Sequence, residues 1–151
     1  MKITILAVGK ARTDFLDDAI HEYGKRLSRW TTVDWQFIPT ATLVKQSDHL
    51  LMVLKDKPQV ILLDERGQAK STGELAKFLE DLQNQSTKDL VFVIGGAHGV
   101  SPAVRSRANQ VWKLSDLIFP HELVRLIIIE QLYRAYDLNH GGKYHHGDSE
   151  I

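Results

Sequence analysis

Residues able to do chemistry gather in three places along this chain. The stretch Val91–Ser101, VFVIGGAHGVS, sets Gly95, Gly96 and Gly99 directly after an apolar run and before a Ser101-Pro102 helix start. Strand, glycine turn and helix in that order let a ligand touch backbone at the carboxyl edge of a sheet. The plainer reading is a tight turn that needs glycine for its shape. His121 and Arg125 stand one helical turn apart, with Arg125 above Ile128, Ile129 and Leu132 on an apolar side. A guanidinium so placed either pairs with a carboxylate or faces a ligand. The third place is the tail from Asn139 to His146, which carries His140, Tyr144, His145 and His146. Its histidines invite a metal reading, but no carboxylate or cysteine stands beside them at ligand spacing. A mobile tail is one alternative; the other is a tail ordered by docking, which brings Tyr144 and His145 to a site.

Composition bounds the partners. The chain has 151 residues, a formal net charge of zero and no cysteine. That length fits a single domain over 1–151 with its own core, and leaves neither disulfides nor thiolate metal sites. No apolar run reaches the roughly 18 residues of a membrane span, and the N-terminal MKITILAVGK reads as a strand, not a signal peptide. A cytoplasmic protein is the expectation. Zero net charge argues against indiscriminate nucleic-acid binding, which depends on phosphate neutralisation, yet leaves room for a local basic patch on a structured RNA.

The elements that must position these residues alternate. Ile3–Val8 and Leu90–Ile94 are continuous apolar runs of the kind found in doubly covered parallel strands. Leu16, Ile20, Tyr23, Leu27 and Trp30 form the stripe of an amphipathic helix from Asp14, with Lys25, Arg26 and Arg29 on a solvated face. Thr32–Ile38 is β-rich, and Leu43–Leu54 is helical with a ragged polar pattern. Val60–Asp64 is another strand, with Glu65-Arg66-Gly67 as the turn after it. Ser71 and Glu74 make a capping box for a helix to about Gln85. Beyond the glycines come a short helix from Pro102, a strand near Gln110–Leu114, the loop Ser115–Phe119, and a long helix from Pro120 to about Asn139, stopped by Gly141 and Gly142. This order predicts an α/β fold with a mostly parallel sheet flanked by helices. The last helix is apolar around most of its circumference, with only Glu130, Arg134 and Asp137 as a polar stripe. Such a helix needs two partners, one of them its own sheet, and a second subunit is a candidate for the other.

Seven segments occur in one order at fitting distances: AVGK at 7–10, EYGKRL at 22–27, VILLDERG at 60–67, VIGGAHG at 93–99, LSDLIFPHELVR at 114–125, EQLYRAY at 130–136 and YHH at 144–146. Together they resemble the RlmH family of SPOUT-class methyltransferases, across nearly the whole chain. The resemblance implies a C-terminal deep trefoil knot, contrary to the general rule against threaded chains, and S-adenosylmethionine held bent within it. It further implies a homodimer, and methylation of N3 of a pseudouridine in 23S ribosomal RNA on the assembled ribosome or large subunit. Cofactor contacts would fall at Leu63, Gly95, and Leu114, Ser115, Asp116, Leu117, Ile118 and Phe119. The catalytic bets are Arg125, to hold RNA phosphate or charge developing on the base, with Tyr144 and His145 to stack on, orient or deprotonate it. In a dimer the tail would serve the neighbouring subunit's pocket. No metal and no membrane are implied.

The chain departs from that family at His98, where an acidic or amide residue is common, and at Ile118, where threonine is usual. The stretch between Pro39 and Pro58 is shorter than usual, and Gly147–Ile151 extends the tail. Two rival readings belong to other classes. A non-catalytic ribosome- or RNA-binding module on the same fold would have a degraded glycine loop. A flavodoxin- or Rossmann-type nucleotide binder would have the full GxGxxG pattern and a placed acid, which are missing here.

Overall fold

The computed structural model describes residues 1–12 and 15–146. Five strands, β1 (Lys2–Val8), β2 (Val33–Ile38), β3 (Gln59–Ala69), β4 (Asp89–Ile94) and β5 (Gln110–Lys113), form one sheet in the order β2-β1-β4-β3-β5. Every pairing is parallel. The helices are α1 (Asp17–Leu27), α2 (Leu43–Leu54), α3 (Thr72–Asn84), α4 (Pro102–Arg107) and α5 (His121–Asn139).

Strand alternation divides the core between two faces. Ile3, Ile5 and Ala7 of β1 and Leu90, Phe92 and Ile94 of β4 point to one side, where Leu27 of α1, Leu79 of α3 and Ile128, Ile129, Leu132, Ala135 and Tyr136 of α5 cover them. Leu6, Val8, Val91 and Val93 point to the other, beneath Leu50 and Leu54 of α2 and Val104 of α4. With helices on both faces, β1 and β4 read as unbroken apolar runs. α5 lies between α1 and α3 and reaches β4, so the chain, having left the sheet at the β5 edge, turns back over its middle.

Helix starts follow local chemistry. The Ser71 hydroxyl accepts from Glu74 N at 3.0 Å while the Glu74 carboxylate accepts from Ser71 N at 3.1 Å, a complete capping box. Ser101 caps α4, with Pro102 in its first turn. α5 starts after Pro120 without a side-chain cap.

The structure corrects the sequence reading at the third strand. Glu65-Arg66-Gly67 is not a turn that ends the third strand: β3 runs on to Ala69, with a register break between Leu63 and Gln68, both of which face Trp112 of β5. The residues between them form an irregular bulge, which alternation alone could not reveal because it interrupts the period. Asp137, read with Glu130 and Arg134 as a polar stripe, faces the chain's own tail together with them. It is buried, and its carboxylate accepts from Tyr144 N at 3.0 Å.

Gly67 is required by close approach. A Cβ there would sit 2.6 Å from the carbonyl carbon and oxygen of Val111, and backbone of a paired strand cannot yield as a side-chain tip can. Gly67→Ala is therefore expected to destabilise the fold by about 1–3 kcal/mol through overpacking, measured as a lowered midpoint in urea unfolding.

Candidate functional site

Parallel strands place their carboxyl ends on one edge, and ligands of open α/β sheets sit in the crevice there. Here the register break of β3, the end of β4 and the segment entering α5 enclose a cavity of about 580 Å³. Its walls are Leu62–Arg66, Ile94–Val100, and Leu114, Ser115 and Leu117–His121, with Val124 from the first turns of α5. Three segments separate in sequence thus meet at one place, and all three belong to the fingerprint read from the sequence.

The glycine loop is tightly wound. Gly99 N donates to Gly96 O at 3.0 Å, and Gly99 has φ +74°, a conformation that favours glycine. A Cβ at Gly95 would lie 3.0 Å from Val100 Cγ1 and 3.1 Å from Gly99 O. One at Gly96 would lie 3.2 Å from Val8 Cγ1. Backbone is therefore brought to the cavity wall, where its amides and carbonyls can meet a ligand directly. On the opposite wall Leu117 and Ile118 are 73% and 72% exposed, a large apolar surface at the cavity rim. Of the residues expected to hold a cofactor, Leu63, Gly95, Leu114, Ser115, Leu117, Ile118 and Phe119 line the cavity. Asp116 is exposed and ion-paired with Lys113 instead.

Sequence reasoning missed Asp64 as part of this wall, taking it only as the end of a strand. Its side chain is 10% exposed and pairs with Arg105 Nη2 at 2.7 Å. It also accepts from Arg66 N at 2.8 Å and lies 3.4 Å from Arg66 Nε. Burial alone would raise the carboxyl pKa, but the Arg66 backbone and side-chain bonds and the Arg105 guanidinium hold it below its ordinary value. The carboxylate thus ties the bulge of β3 to α4 at the cavity mouth. The available signal was a carboxylate at the carboxyl end of a buried strand with an arginine two residues on. His98 and His121 also line the cavity.

Arg125 does not line this cavity. Its side chain is 1% exposed, with Nη1 donating to Lys10 O at 2.7 Å and the guanidinium 5.0 Å from the Phe37 ring centroid. Burial lowers its pKa, against the opposing fields of Glu122 and Asp17. It borders a second hollow between α1 and β2, also lined by Arg12, Asp18, His21 and Trp35. The guanidinium is held by a carbonyl and an aromatic face, not by the carboxylate that one reading of the sequence expected, and it borders this hollow.

The tail, as far as His146, docks on its own α5. Tyr144 Oη is 3.2 Å from Glu130 Oε1 and 3.3 Å from Tyr23 Oη, and the Arg134 guanidinium stands 4.6 Å over its ring. Arg134 Nη1 lies 3.3 Å from His145 Nδ1, which must accept because a guanidinium only donates. Burial, aided by the Tyr23 hydrogen bond and the Glu130 charge, raises the Tyr144 pKa. Nine residues of helix separate Arg125 from Arg134, about 13 Å along the axis. Within one chain Arg125 and the Tyr144–His145 pair therefore stand apart, and neither is on the wall of the cavity. Glu130 and Arg134, legible as an i,i+4 pair on a polar stripe, and Tyr23, legible as part of a core stripe, seat the tail. The call for an extension at Gly147–Ile151 lies outside the described residues. Among the described residues no group of three or more His, Asp or Glu is placed to hold a metal ion, and no helix is long and apolar enough to cross a membrane.

A parallel sheet with its cavity walled by a glycine loop and by the approach to a last, overlying helix fits a known class. Residues 1–145 match the family model described as "Predicted SPOUT methyltransferase". Relatives named ribosomal RNA large subunit methyltransferase H include one from Gloeobacter violaceus, 40% identical over 97% of this chain and 100% of its own length. Another, from Geotalea daltonii, is 36% identical over the same shares. The chain belongs to the family of these methyltransferases, within the SPOUT class. Among solved structures, the SpoU methyltransferase AviRb from Streptomyces viridochromogenes, in complex with the cofactor AdoMet, aligns with a TM-score of 0.49 and 13% identity. That alignment covers 93% of this chain and 58% of AviRb, so the chain spans under two thirds of that protein's length.

The lowered Asp64 pKa fixes a sign. A carboxyl depressed by folding contributes stability above its unfolded pKa, about 3.9, and the contribution is lost as pH falls through the folded value. Wild type should therefore lose more stability than Asp64→Asn when acidified from pH 6 to below about pH 4, as read from denaturant midpoints. Equal losses would show that the Arg66 and Arg105 contacts leave Asp64 unperturbed.

Proposed function

We propose that this protein transfers a methyl group from S-adenosylmethionine to N3 of a pseudouridine in 23S ribosomal RNA, as a cytoplasmic single-domain homodimer acting on the assembled ribosome or large subunit. The observation that carries this reading is the convergence of Leu63, Gly95, Leu114, Ser115 and Leu117–Phe119 around one cavity at the sheet edge. Its size suits a nucleoside-sized ligand. The close packing at Gly95, where even a Cβ meets Gly99 O at 3.1 Å, suits a ligand read by backbone groups. Family membership and the names of the relatives support the reaction class.

Bound S-adenosylmethionine supplies an electrophilic methyl carbon on a sulfonium. The chain's own residues must align an imide-like nitrogen with it and accept the N3 proton near the transition state. Leu63, Leu117, Ile118 and Phe119 give apolar walls that exclude water, while Gly95 and the backbone of Leu114 and Ser115 orient the adenosine. Tyr144 and His145 serve the base, with Arg134 holding His145 Nδ1 in the accepting state. Arg125 serves phosphate or the charge that develops on the ring. Because the tail docks away from its own cavity, the reading places it at the cavity of a second subunit. The half-buried Leu123, Leu126 and Ile127 of α5 support a face for that partner. The return of α5 over the sheet, with its entry segment walling the same cavity as the glycine loop, supports the knotted path that the family implies.

Calorimetric titration should show S-adenosylmethionine binding by the wild type and none by Gly95→Val, which still folds, since a branched side chain would push into Val100 and the ligand. Light scattering should give a dimer at low micromolar concentration. Tritiated methyl should enter large subunits far better than a free oligonucleotide of the same sequence. A chain truncated before Tyr144 should bind cofactor but transfer no methyl. Full transfer by the truncated chain would remove the tail from the reaction.

A further inference from the structure

α2 carries two polar side chains where an amphipathic helix should bury apolar ones. Gln46 and Ser47 are only 8% and 7% exposed, and neither lines the cofactor cavity. Ser47 Oγ lies 2.5 Å from Ser101 Oγ. Ser101 in turn accepts from Val104 N at 3.3 Å as the cap of α4. A hydroxyl has one proton and two lone pairs, so Ser101 can hold the cap and the bond to Ser47 together. A serine inside a helix ordinarily bonds back to its own preceding turn or to water; here it reaches another element. Its neighbour Gln46 donates through Nε2 to Ala41 O at 2.7 Å. That bond holds its Oε1 3.9 Å from where a Cβ at Gly96 would stand. On that side Gly96 is backed by Val8 and Gln46. The glycine loop is therefore tied to α2 where it enters α4, by Ser47 through Ser101, while Gln46 stands behind Gly96 without bonding it.

We infer that Ser47 is a positioning residue for the cofactor loop, fixing the backbone of Gly95–Gly99 from behind the cavity by its hydrogen bond to Ser101. This rests on the reading that the cavity takes S-adenosylmethionine. A glycine-rich loop has little conformational preference of its own, so a ligand that reads its backbone would otherwise have to order it on binding. With the bond in place that ordering is done in advance. It should appear in cofactor affinity and not in the chemical step or in RNA binding.

The test compares wild type, Ser47→Ala, Ser47→Thr, Ser101→Ala and the double variant Ser47→Ala/Ser101→Ala, all as full chains. Each is titrated with S-adenosylmethionine, assayed for methyl transfer to large subunits, and melted. Ser47→Ala should raise the cofactor Kd and KM about fivefold, the effect of one hydrogen bond. Its kcat at saturating cofactor and its KM for large subunits should stay as in wild type. Ser47→Thr, which keeps the hydroxyl, should restore most of the affinity. The double variant should bind no more weakly than Ser101→Ala alone, because the two hydroxyls act as one link. Unchanged affinity in Ser47→Ala, additive losses in the double variant, or a loss that merely tracks the melting temperature would overturn the inference. Failure of wild type to bind S-adenosylmethionine would overturn the functional reading, and this inference with it.

Discussion

The site depends on α5 being pressed onto the sheet between α1 and α3. Ile128, Ile129, Leu132, Ala135 and Tyr136 are fully buried or nearly so, and each large apolar side chain among them is worth about 1.5–3 kcal/mol of burial. That contact anchors the last helix across β4 while the chain enters it from the distant β5 edge. The connecting residues 114–120 must then pass over the carboxyl ends of β3 and β4, and they become the far wall of the cavity. Weakening the helix contact would slacken the wall, so packing on one side of the sheet sets the geometry of a cavity at its edge.

The opposite face makes a matching contribution. α2 and α4 cover Leu6, Val8, Val91 and Val93, and α4 begins at the serine that follows the glycine loop. The loop is thus suspended between the buried central strand β4 and a helix start capped by Ser101. Asp64 adds a polar tie, joining β3 to α4 through Arg105 at 2.7 Å. A carboxylate mostly removed from water is tolerable there because two arginines and a backbone amide share its charge.

At the outer end of α5 the ties are aromatic and ionic. Glu130 and Arg134 pair at 2.7 Å one turn apart, and the tail lies against them through Tyr144 and His145. Tyr133 meets Tyr144 edge to face with centroids 4.8 Å apart. A pair exposed to water would contribute little; here the value lies in geometry, since the pair presents an acceptor to a phenol and a donor to an imidazole. The seated tail is a device carried on the helix that also closes the fold.

Much of this was legible in one sequence. Continuous apolar runs at Ile3–Val8 and Leu90–Ile94, a 3.6-residue stripe from Leu16 to Trp30 and the Ser71 and Ser101 caps are local signals, governed by neighbours within a few residues. They fixed the alternation of elements, and so a parallel sheet. The order of seven short segments carried the family, and with it a set of expected cofactor residues of which all but Asp116 line the cavity. What only the tertiary structure decided depends on groups far apart in the chain. The bulge in β3 exists because Leu63 and Gln68 both meet Trp112, about fifty residues on. Asp64 is an anchor only because Arg105 of another element reaches it. Arg125 and Tyr144 share a helix and its tail, yet folding sets them on different surfaces. Periodicity reports which side of an element is apolar; it carries no information on which partner arrives at that side, because pairing is set by the packing of the whole chain.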